Sequence, residues 1–147
     1  MRSTHGKSND RLRTIKVPVL TEALERLGIP LSLGVASNGL LFLSGIPPID
    51  VRTGEIRSGT ISEQCKLAME AVDHCLCAGS SDFDHVISTR IYASNAGYYD
   101  EINQVYRKFF RSHLPARTFV PVGSWPGAFD IEIECVALQS GSEVREA

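Results

Sequence analysis

The sequence predicts an α+β fold in which a mixed β-sheet carries two helices on one of its faces. Three observations predict it: an early hairpin signal, two stretches with apolar residues at helical spacing, and several stretches rich in β-branched residues. The 147 residues suffice for one hydrophobic core. The predicted order is β-β-β-α-β-α-β-β without an internal repeat, so we expect residues 21–139 to form a single domain.

The first part of the chain predicts a short helix and a hairpin. The stretch TEALERLGIP is expected to be helical, with Thr21 capping its start. Two strands, residues 33–37 and 40–44, are expected to pair across Asn38-Gly39, because a type I′ turn needs positive φ at both central positions. The stretch DVRTGEI then predicts another turn, followed by a short strand.

Two amphipathic helices and the remaining strands follow. TISEQCKLAMEAVDHCLCAG predicts a helix with Ser62 as N-cap and Gly79 at its end, and AGYYDEINQVYRKFFRS predicts the second helix. HVISTRIYAS between them predicts a strand. Two helices cover only one face of such a sheet, so an apolar second face would need another subunit, and we expect an oligomer.

Composition limits the classes of function. Apolar residues make up 43%, charged residues 22%, and the net charge of −2 gives no general attraction to nucleic acid. No apolar run approaches the roughly 18 residues of a membrane span. The N-terminus lacks the apolar segment of a secretory signal, so the four cysteines are expected to be reduced and the protein cytoplasmic. Residues 1–20 and 140–147 are expected to be flexible tails.

Several candidate motifs favour a structural interpretation. Cys75 and Cys77, beside His74, lie two residues apart on a predicted helix and cannot converge on a metal ion. His85 follows two aspartates at a strand start, which favours a polar turn over a catalytic pair. Ser44 lacks the G-x-S-x-G context of a nucleophile, but a Ser-Gly pair at a strand end suits contact with a ligand. The phosphate-binding and zinc-protease motifs are absent.

The last two predicted strands carry one cation and three acids. Alternate residues of a strand share a face, so Asp130, Glu132 and Glu134 lie on one side. Repulsion and burial would raise the pKa of one of them, which suits a group that exchanges protons. Arg117 keeps its charge and matches a carboxylate bidentately. A functional site and a salt bridge from Arg117 to Glu132 or Glu134 both remain open interpretations.

Five stretches together resemble the RidA/YjgF family of imine and enamine deaminases, also labelled endoribonuclease L-PSP. They are LLFLSGIPPIDVRTGEI, QCKLAMEAVDHCLCAGSS, YYDEINQVYRKFF, PARTFVPV and IEIECVA, and they span about residues 30–138 in the family's order. The resemblance implies a chorismate-mutase-like fold and a homotrimer with ligand sites between subunits. It also implies that neither a metal nor an organic cofactor is needed.

The resemblance assigns roles to individual residues. It implies that Arg117 grips the carboxylate of a 2-imino or 2-keto acid and that Glu132 holds the attacking water. Ser44, Gly45 and Asn103 fall on family positions that line or shape the site. We expect Arg117 and Glu132 to meet across a subunit boundary.

Two positions depart from the family's pattern and leave the substrate open. Leu31 stands where the family often has a tyrosine, and Phe119 stands where it often has a cysteine. Both are expected to border the pocket and to change its shape and polarity. The implied activity is hydrolytic deamination of 2-aminoacrylate-like compounds to a 2-keto acid and ammonia. The alternatives are an endoribonuclease and a non-catalytic binder of small carboxylates.

Overall fold

A computed structural model describes residues 11–140 and shows a mixed sheet of six strands. The strands are β1 (Arg13–Thr14), β2 (Gly34–Ser37), β3 (Leu40–Leu43), β4 (Val86–Ala93), β5 (Ala116–Pro121) and β6 (Ile131–Leu138). Their order across the sheet is β1-β2-β3-β6-β4-β5. Strands β4 and β5 run parallel, and the other neighbouring pairs are antiparallel. The predicted α+β class is confirmed.

Within the described residues, three α-helices accompany the sheet: α1 (Leu20–Arg26), α2 (Ile61–Ala78) and α3 (Tyr99–Tyr106). Helix α2 packs on β6 and against α3. Helix α3 is shorter than the predicted second helix, because its flanks Ala96–Tyr98 and Arg107–Phe109 wind into tighter 3₁₀ turns. A further 3₁₀ turn, Phe83–His85, leads into β4.

The predicted hairpin is confirmed. Asn38 has φ 53° and Gly39 has φ 76°, which are the positive values that a type I′ turn requires. The strand residues pair from Ser37 opposite Leu40 outward. The backbone of Ser44 extends this pairing by donating to the Leu33 carbonyl at 2.9 Å.

Both predicted N-caps are wrong, whereas Gly79 ends α2 as predicted. Helix α2 is capped by Thr60, whose hydroxyl accepts from the Glu63 N–H at 3.2 Å while the Glu63 carboxylate accepts from the Thr60 N–H at 3.3 Å. This reciprocal capping box leaves Ser62 inside the first turn. Thr21 lies inside α1, where its hydroxyl accepts from the Val17 N–H at 2.8 Å.

The predicted short strand after DVRTGEI is wrong, since that segment forms only an isolated bridge between Ile49 and Ile56. Local hydrogen bonds close the turn instead. The Gly54 N–H donates to the Asp50 carbonyl at 2.7 Å, and the Arg52 N–H donates to the Asp50 carboxylate at 2.9 Å. The sheet has six strands without this segment, because β1, which was not predicted, pairs with β2.

Residues 11–20, which the sequence placed in a tail, contribute to the fold. Arg13 and Thr14 pair with β2, and Val17 and Leu20 are only 1% and 0% exposed. The remaining parts of the two expected tails, residues 1–10 and 141–147, lie outside the described residues.

The two faces of the sheet differ in burial. In β6 the buried residues Ile131, Ile133, Cys135 and Ala137 alternate with partly exposed ones. The open face carries apolar side chains, among them Phe42, which is 46% exposed and pairs with Val136. This is the surface that we expected a second subunit to cover. In the described part of the chain, no helix is long and apolar enough to cross a membrane.

Candidate functional site

Arg117 lies on the edge strand β5 and faces the helices. It pairs with Thr89 of β4, whose hydroxyl lies 2.8 Å from that of Tyr106. The guanidinium carbon lies 4.8 Å from the centre of the Tyr106 ring and 5.4 Å from that of Tyr99. Its Nη2 donates to Asn103 Oδ1 at 2.5 Å. Two aromatic faces and one amide therefore fix the orientation of this cation.

No acid neutralises Arg117 among residues 11–140. The charge of Arg117 acts on two groups that stay neutral, the Cys65 thiol and the Tyr106 hydroxyl. Burial raises the pKa of the Cys65 thiol to about 12, although the charge of Arg117 acts in the opposite direction. Burial also raises the pKa of the Tyr106 hydroxyl. A half-buried, oriented guanidinium without an anion is suited to binding an anionic ligand.

An open cleft of about 460 Å³ lies beside Arg117. Its lining consists of Tyr99, Asn103, Tyr106, Arg107, Leu114, Pro115, Arg117 and Phe119. Phe119 packs edge-to-face on Tyr99, with ring centres 5.1 Å apart and an angle of 89° between the rings. Two of the predicted site residues, Asn103 and Phe119, thus lie beside Arg117. We call Arg117, Asn103, Tyr99, Tyr106 and Phe119 the Arg117 half-site.

Glu132 lies on β6 and faces the opposite side of the sheet. It pairs with Tyr92 of β4. The segment that follows β3 is held beside β6 by two backbone hydrogen bonds between Ile46 and Ile133, at 2.9 and 3.0 Å. These bonds bring Gly45 so close that a Cβ on it would lie 2.6 Å from Glu132 Oε2. Gly45 is therefore the residue that leaves room for the carboxylate.

The surroundings of Glu132 favour its protonated form. Burial raises the pKa of its carboxyl group, a hydrogen bond from the Trp125 side chain lowers it, and the charge of Glu134 raises it again. The net direction is upward, and a raised pKa makes the ionised carboxylate a better proton acceptor. Sequence reasoning missed Trp125, and its only signal was a lone tryptophan in the loop SWPGAF between the last two strands.

Ser44 directly precedes Gly45, and Leu31 directly precedes Ser32. The Ser44 hydroxyl donates to the Ser32 carbonyl at 2.6 Å. Leu31, next to Ser32, is 45% exposed and lines a shallow groove that shares no residue with the Arg117 cleft. The structure thus places Leu31 apart from Phe119. We call Glu132, Ser44 and Gly45 the Glu132 half-site.

A salt bridge between Arg117 and the acids of β6 does not form in the chain. Glu134 instead pairs with Arg90, at 3.7 Å between Nη1 and Oε1, and accepts a hydrogen bond of 2.5 Å from the Tyr92 hydroxyl. The cause is the strand register, which directs Arg117 toward the helices and Glu132 and Glu134 toward the open face.

The remaining motifs are structural. Cys75 is buried and Cys77 is exposed, and residues 11–140 hold no cluster of three or more potential metal ligands. The carboxylate of Asp82 caps the turn before β4 by accepting from the His85 N–H at 3.1 Å, and it lies 2.6 Å from the His85 ring nitrogen. This is the polar turn that the sequence predicted.

The two half-sites point away from each other within one chain. Arg117 lies opposite Thr89 of β4 on the helix-covered face, and Glu132 lies opposite Tyr92 of the same strand. Thr89 and Tyr92 are an odd number of residues apart, so they point to opposite faces, and Glu132 lies on the open face. The fold and the site thus define a small α+β protein that carries polar clusters on both faces of its sheet.

Comparison with known proteins identifies the family. The sequence model described as Endoribonuclease L-PSP matches residues 24–139. The chain therefore belongs to the RidA/YjgF family, as the sequence motifs indicated.

Three similar proteins illustrate this membership. The chain is 31% identical to the human 2-iminobutanoate/2-iminopropanoate deaminase, over 75% of this chain and 80% of that protein. The crystal structure of YyfA from Yersinia pestis, a member of the Rid protein family, is 26% identical with a TM-score of 0.79 and covers 87% of this chain and 99% of that one. TdcF of E. coli with bound serine is 29% identical with a TM-score of 0.70, over 76% of this chain and 89% of that one.

Proposed function

We propose that the protein is a hydrolytic deaminase of reactive 2-imino and 2-enamino acids, which releases a 2-keto acid and ammonia. The observation that carries the proposal is the combination of an oriented arginine without an anion and a glutamate whose pKa is raised by burial. The name of the human relative supports the reaction. The serine bound to TdcF supports a small ligand that carries a carboxylate and a nitrogen on the same carbon.

The working assembly in this proposal is a homotrimer with its sites between subunits. The Arg117 half-site of one chain would face the Glu132 half-site of its neighbour. Two observations support this arrangement: the half-sites lie on opposite faces of one sheet, and the open face exposes apolar side chains such as Phe42. Exposed apolar surface of this kind is stabilised by burial against another subunit.

The chemistry follows from the two half-sites. An enamine first tautomerises to the imine, and Arg117 holds its carboxylate, which orients the C=N carbon. Glu132 accepts a proton from water as the water oxygen attacks that carbon. Glu132 returns that proton to the nitrogen, which gives the neutral carbinolamine. Glu132 then moves the hydroxyl proton to the same nitrogen, the C–N bond breaks, the C=O bond forms and ammonia leaves. One water is consumed and one ammonia is released, so residues of the chain suffice without a cofactor.

The proposed compartment is the cytoplasm, and the proposed partner is a small 2-imino or 2-keto acid. All four cysteines are free, and Cys65, Cys75 and Cys135 are buried. Free thiols suit a reducing compartment. The balanced charge of the chain gives no support to nucleic acid as a partner.

The proposal is tested by keto-acid release from 2-iminobutanoate, generated in place by an amino-acid oxidase. Arg117→Ala should lower kcat/KM about ten- to a hundredfold, because a charge-assisted contact to the carboxylate is lost. Glu132→Gln should lower kcat about a hundredfold or more, because the proton acceptor is lost. Arg111→Ala, an exposed arginine outside the cleft, is the matched control. Unchanged rates in both variants would exclude this mechanism.

A non-catalytic binder of small carboxylates is the second candidate, favoured by the serine bound to TdcF. Such a protein would bind 2-oxobutyrate through Arg117 without turning over any imine, so calorimetry and the turnover assay separate the two functions. The family description also names an endoribonuclease. RNA cleavage that accompanies the purified protein and survives Arg117→Ala would support that activity instead.

A further inference from the structure

The Arg117 cleft contains a second arginine. Arg107 follows α3 directly, one helical turn after Asn103, and also lines the cleft. Its Nε donates to the Asn103 backbone carbonyl at 3.2 Å, while the side chain of the same Asn103 accepts from Arg117. Asn103 therefore anchors both cations: its backbone carbonyl binds Arg107, and its side chain binds Arg117.

Neither cation is neutralised in the part of the chain that the structure describes. The Nε contact is the sole hydrogen bond of the Arg107 side chain there, and neither arginine forms an ion pair. The residues lining the cleft include no Asp or Glu. Both guanidinium groups remain charged at any physiological pH. Two like charges in one cleft repel each other, so an anion that reaches both is favoured there.

Capping of the helix end explains only part of the Arg107 geometry. Arginines near a helix C-terminus commonly donate to its last carbonyl groups. That role engages Nε alone and leaves the rest of the planar fork available to a ligand. The same cleft has an apolar wall, to which Tyr99, Phe119 and Leu114 contribute.

We propose that the Arg107–Arg117 pair selects 2-imino acids that carry a second carboxylate at the end of the side chain. Arg117 holds the carboxylate next to the imine, Arg107 holds the distal one, and the aliphatic carbons between them lie along the apolar wall. This inference rests on the proposed deaminase function and adds its substrate class. The cleft of about 460 Å³ has room for a short dicarboxylate.

The test compares Arg107→Gln with the unmodified protein on two imines, 2-iminoglutarate and 2-iminobutanoate, each generated by a matching amino-acid oxidase. The variant should lower kcat/KM for the dicarboxylic imine about three- to tenfold and change the value for the monocarboxylic imine less than about twofold. Arg111→Gln, an exposed arginine four residues further along that does not line the cleft, should change neither value. Equal losses on both imines in Arg107→Gln would overturn the inference.

Calorimetry with the keto-acid products separates this inference from the proposed function. The unmodified protein should bind 2-oxoglutarate more tightly than 2-oxobutyrate, and Arg107→Gln should remove that preference. Turnover of 2-iminobutanoate combined with equal affinities for the two products would overturn the dicarboxylate inference and leave the deaminase intact. Absence of turnover on both imines would overturn the proposed function, and the calorimetric preference would then decide the inference alone.

Discussion

At the residue scale, the surroundings of Arg117 and Glu132 determine their chemistry. Arg117 is held by two tyrosine rings and an amide, and no acid of residues 11–140 forms an ion pair with it. Glu132 is placed where burial works against its charge and where Gly45 leaves room for its carboxylate. The first arrangement suits the binding of an anion, and the second suits the exchange of a proton.

Replacing Glu132 by glutamine should stabilise the fold at neutral pH. The folded-state pKa of Glu132 is raised above its ordinary value of 4.5, so the ionised group costs free energy in the folded state. The stabilising contribution of the neutral group is fully present below about pH 4.5 and is lost as pH rises through the folded pKa. Glu132→Gln should therefore raise the free energy of unfolding at neutral pH and leave it unchanged in acid.

Denaturant unfolding of this variant from about pH 3 to about pH 8 measures the effect. Glu25→Gln is a suitable control, because Glu25 is an exposed carboxylate with only a long surface ion pair of 3.9 Å to Lys16. A Glu132→Gln variant that is destabilised by the same amount at every pH would contradict the raised pKa.

At the scale of helices and strands, the sequence predicted those features that depend on a few neighbouring residues. The hairpin at Asn38-Gly39 was correct, because its turn type depends on those two residues. The start of α2 was placed two residues late, because Thr60 and Ser62 can both cap a helix and only the reciprocal bond to Glu63 distinguishes them. Strand β1 was not predicted, because two residues are too few to show the alternation of apolar and polar residues that indicates a strand. These two residues form a strand because they pair with β2.

The cap of α2 can be tested with a matched pair of variants. Thr60→Ala should lower the free energy of unfolding by about 1 kcal/mol, because an N–H of the first turn loses its acceptor. Ser62→Ala should change it by less than about 0.5 kcal/mol, because its hydroxyl makes only a 3.4 Å exposed contact with Glu101. Denaturant unfolding of both variants is the measurement, and a larger loss for Ser62→Ala would contradict the observed cap.

At the scale of the whole molecule, the sheet separates the two half-sites. The identities of Arg117 and Glu132 were available from the sequence motifs, but their relation was not. The faces they occupy depend on the parallel register of β4 with β5 and the antiparallel register of β4 with β6, which no local pattern encodes. For the same reason, the sequence could not decide between a salt bridge and a site open to a ligand.

The central claim is that a complete site combines Arg117 of one chain with Glu132 of its neighbour. The most direct measurement is deaminase activity after Arg117→Ala and Glu132→Gln chains are refolded together in equal amounts. Random assembly into trimers should place the two intact residues together in about one quarter of the sites and restore about that fraction of the activity.

Each variant refolded alone should remain inactive, the unmodified protein refolded alone gives the reference activity, and light scattering should give three times the chain mass of 16.1 kDa. Recovery of about a quarter of the reference activity is the result that this account predicts. Mixed trimers that form and show no more activity than the separate variants would contradict it.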